Sequence, residues 1–155
     1  MNAFKNLVGR VKEQFASPEL SLADAKVLAM LAVIYADQKT STARELGLLH
    51  ALCSFDQRLV GLDLETAKKR FDTYGGDLHL LFDKLAESIL EPSARMDIYA
   101  SAFLLASIDG VVSGEELQML DRLNKTLRMT LEETQMVHEH SRFVIDTLKE
   151  LRILV

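Results

Sequence analysis

Two long apolar stretches, Val27–Ala36 and Ile98–Ile108, constrain this chain more than any other feature of its sequence. Each falls well short of the roughly 20 apolar residues that a membrane-spanning helix needs. Wound as a helix, each is apolar on nearly every side, so each has to be surrounded by other helices. Two such helices within 155 residues demand a bundle, with much of the remaining chain packed around them. Only seven glycines and two prolines punctuate the sequence, and no segment sustains the alternation of a half-buried strand. The chain therefore reads as an all-α, single-domain bundle of about seven to eight helices spanning 1–155.

Composition narrows the function classes. An apolar share of 48% with 26% charged residues belongs to a folded chain rather than a disordered one. The formal charge of −5 opposes sequence-independent nucleic-acid binding, which draws most of its affinity from neutralised phosphate. Cys53 is the single cysteine, so no intrachain disulfide can form, which fits a reducing compartment. The opening Met1-Asn2-Ala3-Phe4-Lys5 lacks the apolar core of a secretion signal. A cytoplasmic location is the resulting expectation.

Capping signals divide the chain. Phe4, Leu7, Val8, Val11 and Phe15 form a one-sided stripe that stops at Ser17-Pro18. With Lys5, Arg10 and Lys12 beside it, this stripe suits packing on its own domain better than lying on a membrane surface. A second helix runs from about Glu19 or Ser21 to Asp37. Thr42 with Glu45 has the spacing of a capping box, opening a helix to about Ser54. Asp63 caps a helix to about Tyr74, Gly75-Gly76 breaks it, and another helix covers Leu78–Leu90. After Glu91-Pro92, Ser93 is the expected cap of a helix to Ile108, with Gly110 suited to the left-handed position beyond it. Ser113 with Glu116, and Thr130 with Glu133, are further capping boxes, opening helices to about Leu127 and residue 150.

The order of these elements repeats. Leu28–Ala36 followed by Asp37 parallels Ala100–Ile108 followed by Asp109. Thr42 and Glu45 parallel Ser113 and Glu116. Leu46, Leu49 and Leu52 stand beside Leu117, Leu120 and Leu123, and Asp63-Leu64-Glu65 beside Thr130-Leu131-Glu132. The sequence thus predicts two halves, about 20–90 and 93–150, whose apolar helices pack centrally about a pseudo-two-fold axis.

The run Ser107-Ile108-Asp109-Gly110-Val111-Val112-Ser113-Gly114-Glu115-Glu116-Leu117 behind an apolar helix resembles the tellurite-resistance TerB-like family, with its alanine-aspartate-glycine and downstream glutamate. Tyr35-Ala36-Asp37-Gln38-Lys39 with Glu45 looks like a degraded copy, and the likeness spans roughly residues 20–145. Gln38 replaces the family's glycine and Ile108 its alanine. The resemblance implies an all-helical domain of bacterial tellurite and chemical-stress resistance, with an ill-defined biochemical activity and a proposed role for acidic residues in divalent-metal binding.

Asp37 and Asp109 fall at predicted helix C-termini, where a carboxylate opposes the macrodipole at a cost of roughly 0.3–1 kcal/mol. The structural explanation is a hydrogen bond to loop amides or to the next helix. The functional one is a cation held between the halves by Asp37, Asp109, Glu45, Glu115 and Glu116. Glu45 and Glu116 already have work in their capping boxes, which favours the first. Oxygen-only ligands would select Ca²⁺ or Mg²⁺. Asp109-Gly110 does not open an EF-hand, because Val111, Leu117 and Leu120 stand where that loop needs oxygens.

Other candidates are weaker. His50 and Cys53 supply only two ligands, and Cys53 continues the apolar row of Leu46 and Leu49. His79 and Asp83 read as a surface pair. His138 and His140 point to different helix faces. No phosphate loop, nucleophile elbow or zinc-protease motif is present in the sequence. The expectation is a non-enzymatic module acting through a protein partner or homodimer. A metal-dependent detoxification enzyme and a purely structural domain are the alternatives. The apolar Leu148, Leu151, Ile153, Leu154 and Val155 suit either core docking or a homodimer contact.

Overall fold

The computed structural model describes residues 20–36, 42–56, 59, 63–108 and 112–151. Over these residues the chain is all-helical, with seven helices and no strand: α1 (Leu22–Ala36), α2 (Thr42–Phe55), α3 (Leu64–Asp72), α4 (Leu78–Ser88), α5 (Pro92–Ser107), α6 (Gly114–Thr126) and α7 (Leu131–Glu150). The stripe from Phe4 to Phe15, Asp37, Asp109-Gly110 and the last apolar residues from 152 onward lie outside the described set.

Local chemistry accounts for most helix ends. Ser21 and Asp24 bracket the start of α1, the Asp24 amide donating to Ser21 Oγ at 3.1 Å while the Ser21 hydroxyl donates back to the Asp24 carboxylate at 2.8 Å. Asp63 and Asp77 cap α3 and α4 by accepting from backbone amides. Both halves of a capping box are present at Ser113/Glu116 and at Thr130/Glu133, as the spacing predicts. Gly75 and Gly76 take φ of 60° and 79° in the turn between α3 and α4. Glycine has no Cβ to clash in that left-handed region.

Two ends depart from the sequence reading. Thr42 is the first residue of α2 rather than the cap before it, a one-residue difference of the kind helix ends commonly show. Ser93 does not cap α5: the helix starts at Pro92, with Glu91 in the cap position and no side-chain cap bond. Proline needs no amide partner and its φ is already helical, so it takes the first helical position ahead of serine.

α1 is the centre of the molecule. Every residue from Ala25 to Ile34 is buried, because α1 contributes to two apolar clusters at once. Leu28, Ala32 and Val33 join Leu81, Leu85, Ile98, Ala102, Leu120 and Leu123 in one. Val27, Met30, Leu31 and Ile34 join Leu49, Leu59 and Leu105 in the other. The most extensive packing is α1 against α5, with small residues Ala25, Ala29 and Ala32 on one helix and Ala102 and Ala106 on the other in a shared cluster. α1 also packs on α2, α3 and α6, and α5 on α2, α6 and α7. The two apolar helices are therefore central, as the sequence requires.

Two features fix the far end of the bundle. Arg95 donates through Nε to the Ile89 carbonyl at 2.7 Å, and through its terminal nitrogens to Leu127 and Ala86 at 3.3 and 3.4 Å. It thereby satisfies carbonyls at the C-termini of both α4 and α6, where a cation also opposes the negative dipole end. Past α6, the Met129 amide reaches back to Asn124 O and that of Arg128 to Lys125 O, both at 3.1 Å. This Schellman closure requires a left-handed residue, and Arg128 fills it with φ 54° where glycine is usual.

Candidate functional site

Of the acidic residues singled out by the sequence, Asp37 and Asp109 lie outside the described residues, and Glu45 sits in α2 with its side chain likewise outside them. Glu115 is exposed in the first turn of α6. Glu116 is buried, at 6% exposure, and its Oε1 accepts from the Ser113 amide at 3.2 Å. Among the described residues no group of three His, Cys, Asp or Glu side chains is placed to hold a metal ion.

A different charged cluster stands out instead. Lys26, one helical turn after Leu22, is only 3% exposed although it belongs to the central helix. Its Nζ donates to the carboxylates of Asp56, just past the end of α2, and of Asp97, in the second turn of α5 at 3.1 Å. An ammonium taken out of water needs such partners, because burial without them costs several kcal/mol. The three residues tie together α1, the end of α2 and α5. The two carboxylates are each about 30% exposed and face an open hollow.

That hollow, about 730 Å³, has Leu22, Lys26, Glu91, Asp97, Met136 and His140 in its lining. A second, more apolar hollow of about 260 Å³ includes Met30, Leu59, Leu104, Val144 and Leu148, and Asp56 borders both. The lining residues follow helical spacing along three helices: Leu22, Lys26 and Met30 on α1; Asp97, Ser101 and Leu104 on α5; Met136, His140, Val144 and Leu148 on α7. Both α1 and α7 pack on α5. The two hollows thus make one groove, with α5 as its floor and α1 and α7 as walls.

The histidines separate as their spacing predicts. His140 is exposed at the groove. His138 lies across α7, its ring stacked on Phe103 at 4.2 Å between centroids and its Nε2 3.0 Å from the Tyr99 hydroxyl. Burial, followed by the neighbouring Arg142 charge, holds His138 below the usual imidazole range. His79 and Asp83 form an exposed pair at 3.5 Å. Cys53 is half-buried beside the second apolar cluster, and burial, with the Asp56 carboxylate nearby, pushes its thiol up. A thiol held protonated is a poor nucleophile, and His50, three residues before it, is exposed.

The sequence reading passed over Lys26, Asp56 and Asp97. The signal present was a single lysine in register with the buried face of α1, since Leu22, Lys26 and Met30 share one side. Its partners lie 30 and 71 residues away and no local pattern joins them.

No helix among the described residues is long and apolar enough to cross a membrane. Comparison of the chain with protein-family models, with curated proteins and with solved structures returns no match.

Proposed function

We propose that this chain is a non-enzymatic, cytoplasmic helical binding module of the TerB-like kind, acting in tellurite or chemical-stress response through a protein partner. The groove between α1 and α7 carries this reading. It is open along three helices and lined mainly by apolar side chains, with Lys26, Asp56, Glu91 and Asp97 among them, the mixture of apolar body and few polar groups that recognition sites use. Cys53, with its raised pKa, is unsuited to thiolate chemistry. The repeated order of the elements in sequence and the reciprocal packing of α1 and α5 on each other's following helices support a pseudo-two-fold origin of the scaffold.

The test is genetic. A strain lacking the gene should lose tellurite tolerance, and the wild-type chain should restore it while a Glu91→Lys, Met136→Glu variant does not. Equal growth of the deleted and parental strains under tellurite would remove the stress-response assignment.

A divalent-cation reading has its own support: α1 and α5, the helices that run into Asp37 and Asp109 in sequence, pack directly on each other. Ca²⁺ or Mg²⁺ would then draw on Asp37, Asp109, Glu45 and exposed Glu115, with Glu116 engaged at its cap. Calorimetry should show saturable binding that Asp109→Asn weakens, and a flat titration of the wild type ends this reading.

A further inference from the structure

We propose that the contact between His138 on α7 and Tyr99 on α5 is a pH-sensitive latch, closed while the imidazole is neutral and released when it takes up a proton. The latch lies across α7 from His140 and does not depend on the binding-module reading.

Three helices build it. Tyr99 belongs to the larger apolar cluster and is 4% exposed. Its hydroxyl lies 3.0 Å from His138 Nε2. The imidazole stacks on Phe103, one helical turn after Tyr99, at 4.2 Å between centroids. Four residues earlier on α7, the Thr134 hydroxyl accepts from the Asn124 amide of α6 at 2.8 Å. These contacts seat the first half of α7, ahead of its buried Ser141 and Ile145.

The direction of the Tyr99 contact follows from counting protons. A phenol has one proton to give, and a buried one needs an acceptor. His138 Nε2 is the acceptor that Tyr99 reaches, so the neutral ring carries its own proton on Nδ1. Protonation places a second N–H on Nε2, aimed at the hydroxyl. The phenol oxygen can accept it, but the phenol's own proton is then left without a partner in a site nearly closed to water. The stack on Phe103 accommodates either form of the ring, so the hydroxyl is the element that distinguishes them.

The surrounding charge does not rescue the closed state. Among the described residues, Tyr99 meets the ring from α5, Asp121 of α6 borders the same pocket, and Arg142 lies one turn further along α7. Arg142 opposes a second cation, and the Asp121 carboxylate is paired with Lys125 at 2.9 Å. Burial and Arg142 together hold the ring below the usual imidazole range. Release widens the hollow of about 430 Å³ at this place, whose apolar lining includes Phe103, Leu120 and Met129.

The test follows amide exchange of the full chain by mass spectrometry from about pH 7.5 to about pH 5, corrected for the intrinsic pH dependence of exchange, beside the NMR titration of the His138 ring. As His138 takes up its proton, with a midpoint below the ordinary 6.5, amides of residues 131–141 should exchange at least about fivefold faster, the equivalent of one unpaired hydroxyl. Amides of α1 should keep their rate. Tyr99→Phe removes the proton that needs an acceptor, so in that variant the same amides should exchange alike on both sides of the His138 midpoint. Exchange in 131–141 that stays flat through the wild-type titration overturns the proposal, as does equal acceleration in α1, the mark of global opening. An acceleration of the same size in Tyr99→Phe also overturns it, because acid then acts through another group. His138→Phe is the remaining check: it should show no acceleration near that pH, and one that persists assigns the effect away from the ring.

Discussion

Replacing Lys26 with methionine probes the buried ion cluster most directly. Methionine nearly matches the volume of lysine, so the substitution removes a charge and leaves little cavity. What remains is a pair of carboxylates, Asp56 and Asp97, without the cation that both touch. Breaking a fully buried pair by removing one partner costs about 3–5 kcal/mol. Here the lysine is 4% exposed but the carboxylates are 28% and 31% exposed, so water relieves part of that, and about 2–3 kcal/mol is expected. At roughly 2–4 °C per kcal/mol for a chain of this size, the midpoint of thermal unfolding falls by about 4–12 °C. The informative measurement is a cycle in urea with Lys26→Met, Asp97→Asn and the double variant. Asp97→Asn in the methionine background should recover stability, because it relieves the repulsion between two carboxylates that no longer share the Lys26 ammonium, whereas in the wild type it should cost stability. A Lys26→Met chain within about 0.5 kcal/mol of wild type, or strictly additive substitutions, would refute the view that this cluster is a coupled, partly desolvated unit.

Three further outcomes follow from the fold. Arg128→Gly should stabilise the chain by about 0.5–1 kcal/mol in urea unfolding, since glycine removes the left-handed strain at φ 54° and returns only part of it as unfolded-state entropy. Arg95→Leu should cost about 1–3 kcal/mol by the same assay, as three carbonyls at the ends of α4 and α6 lose a charged donor. His138 has a folded pKa below its ordinary 6.5, so the unfolded chain takes up that proton first. Its contribution is fully present above about pH 6.5 and declines as pH falls through the folded value. The stability advantage of wild type over His138→Asn should shrink on acidification, and a gap that widens would contradict the sign.

Helix boundaries were legible where a side chain does the capping. Ser113 with Glu116, Thr130 with Glu133, and Asp63 each act within three residues of their partners, so sequence spacing contains the whole interaction. Ser93 misled because it sits one residue behind a proline that already satisfies the helix start. The central role of α1 and α5 followed from their all-round apolarity, which admits only a buried position. The candidate groove was not legible, because its charges come from residues far apart in sequence and its shape from the α1, α5 and α7 arrangement. Glu116 was legible twice over, as a cap and as a ligand, and the described residues display its capping contact.

The all-round burial of α1 has a consequence for how the chain is made. A helix whose residues from Ala25 to Ile34 are all covered has no stable state while its neighbours are missing. Those neighbours include α5 and α6, which a ribosome delivers only after the first half has emerged. Residues 20–90 alone would therefore expose an oily rod to solvent and to chaperones. Acquisition of structure is postponed until the second half arrives, and the molecule then forms as one cooperative unit rather than as two modules assembled in turn.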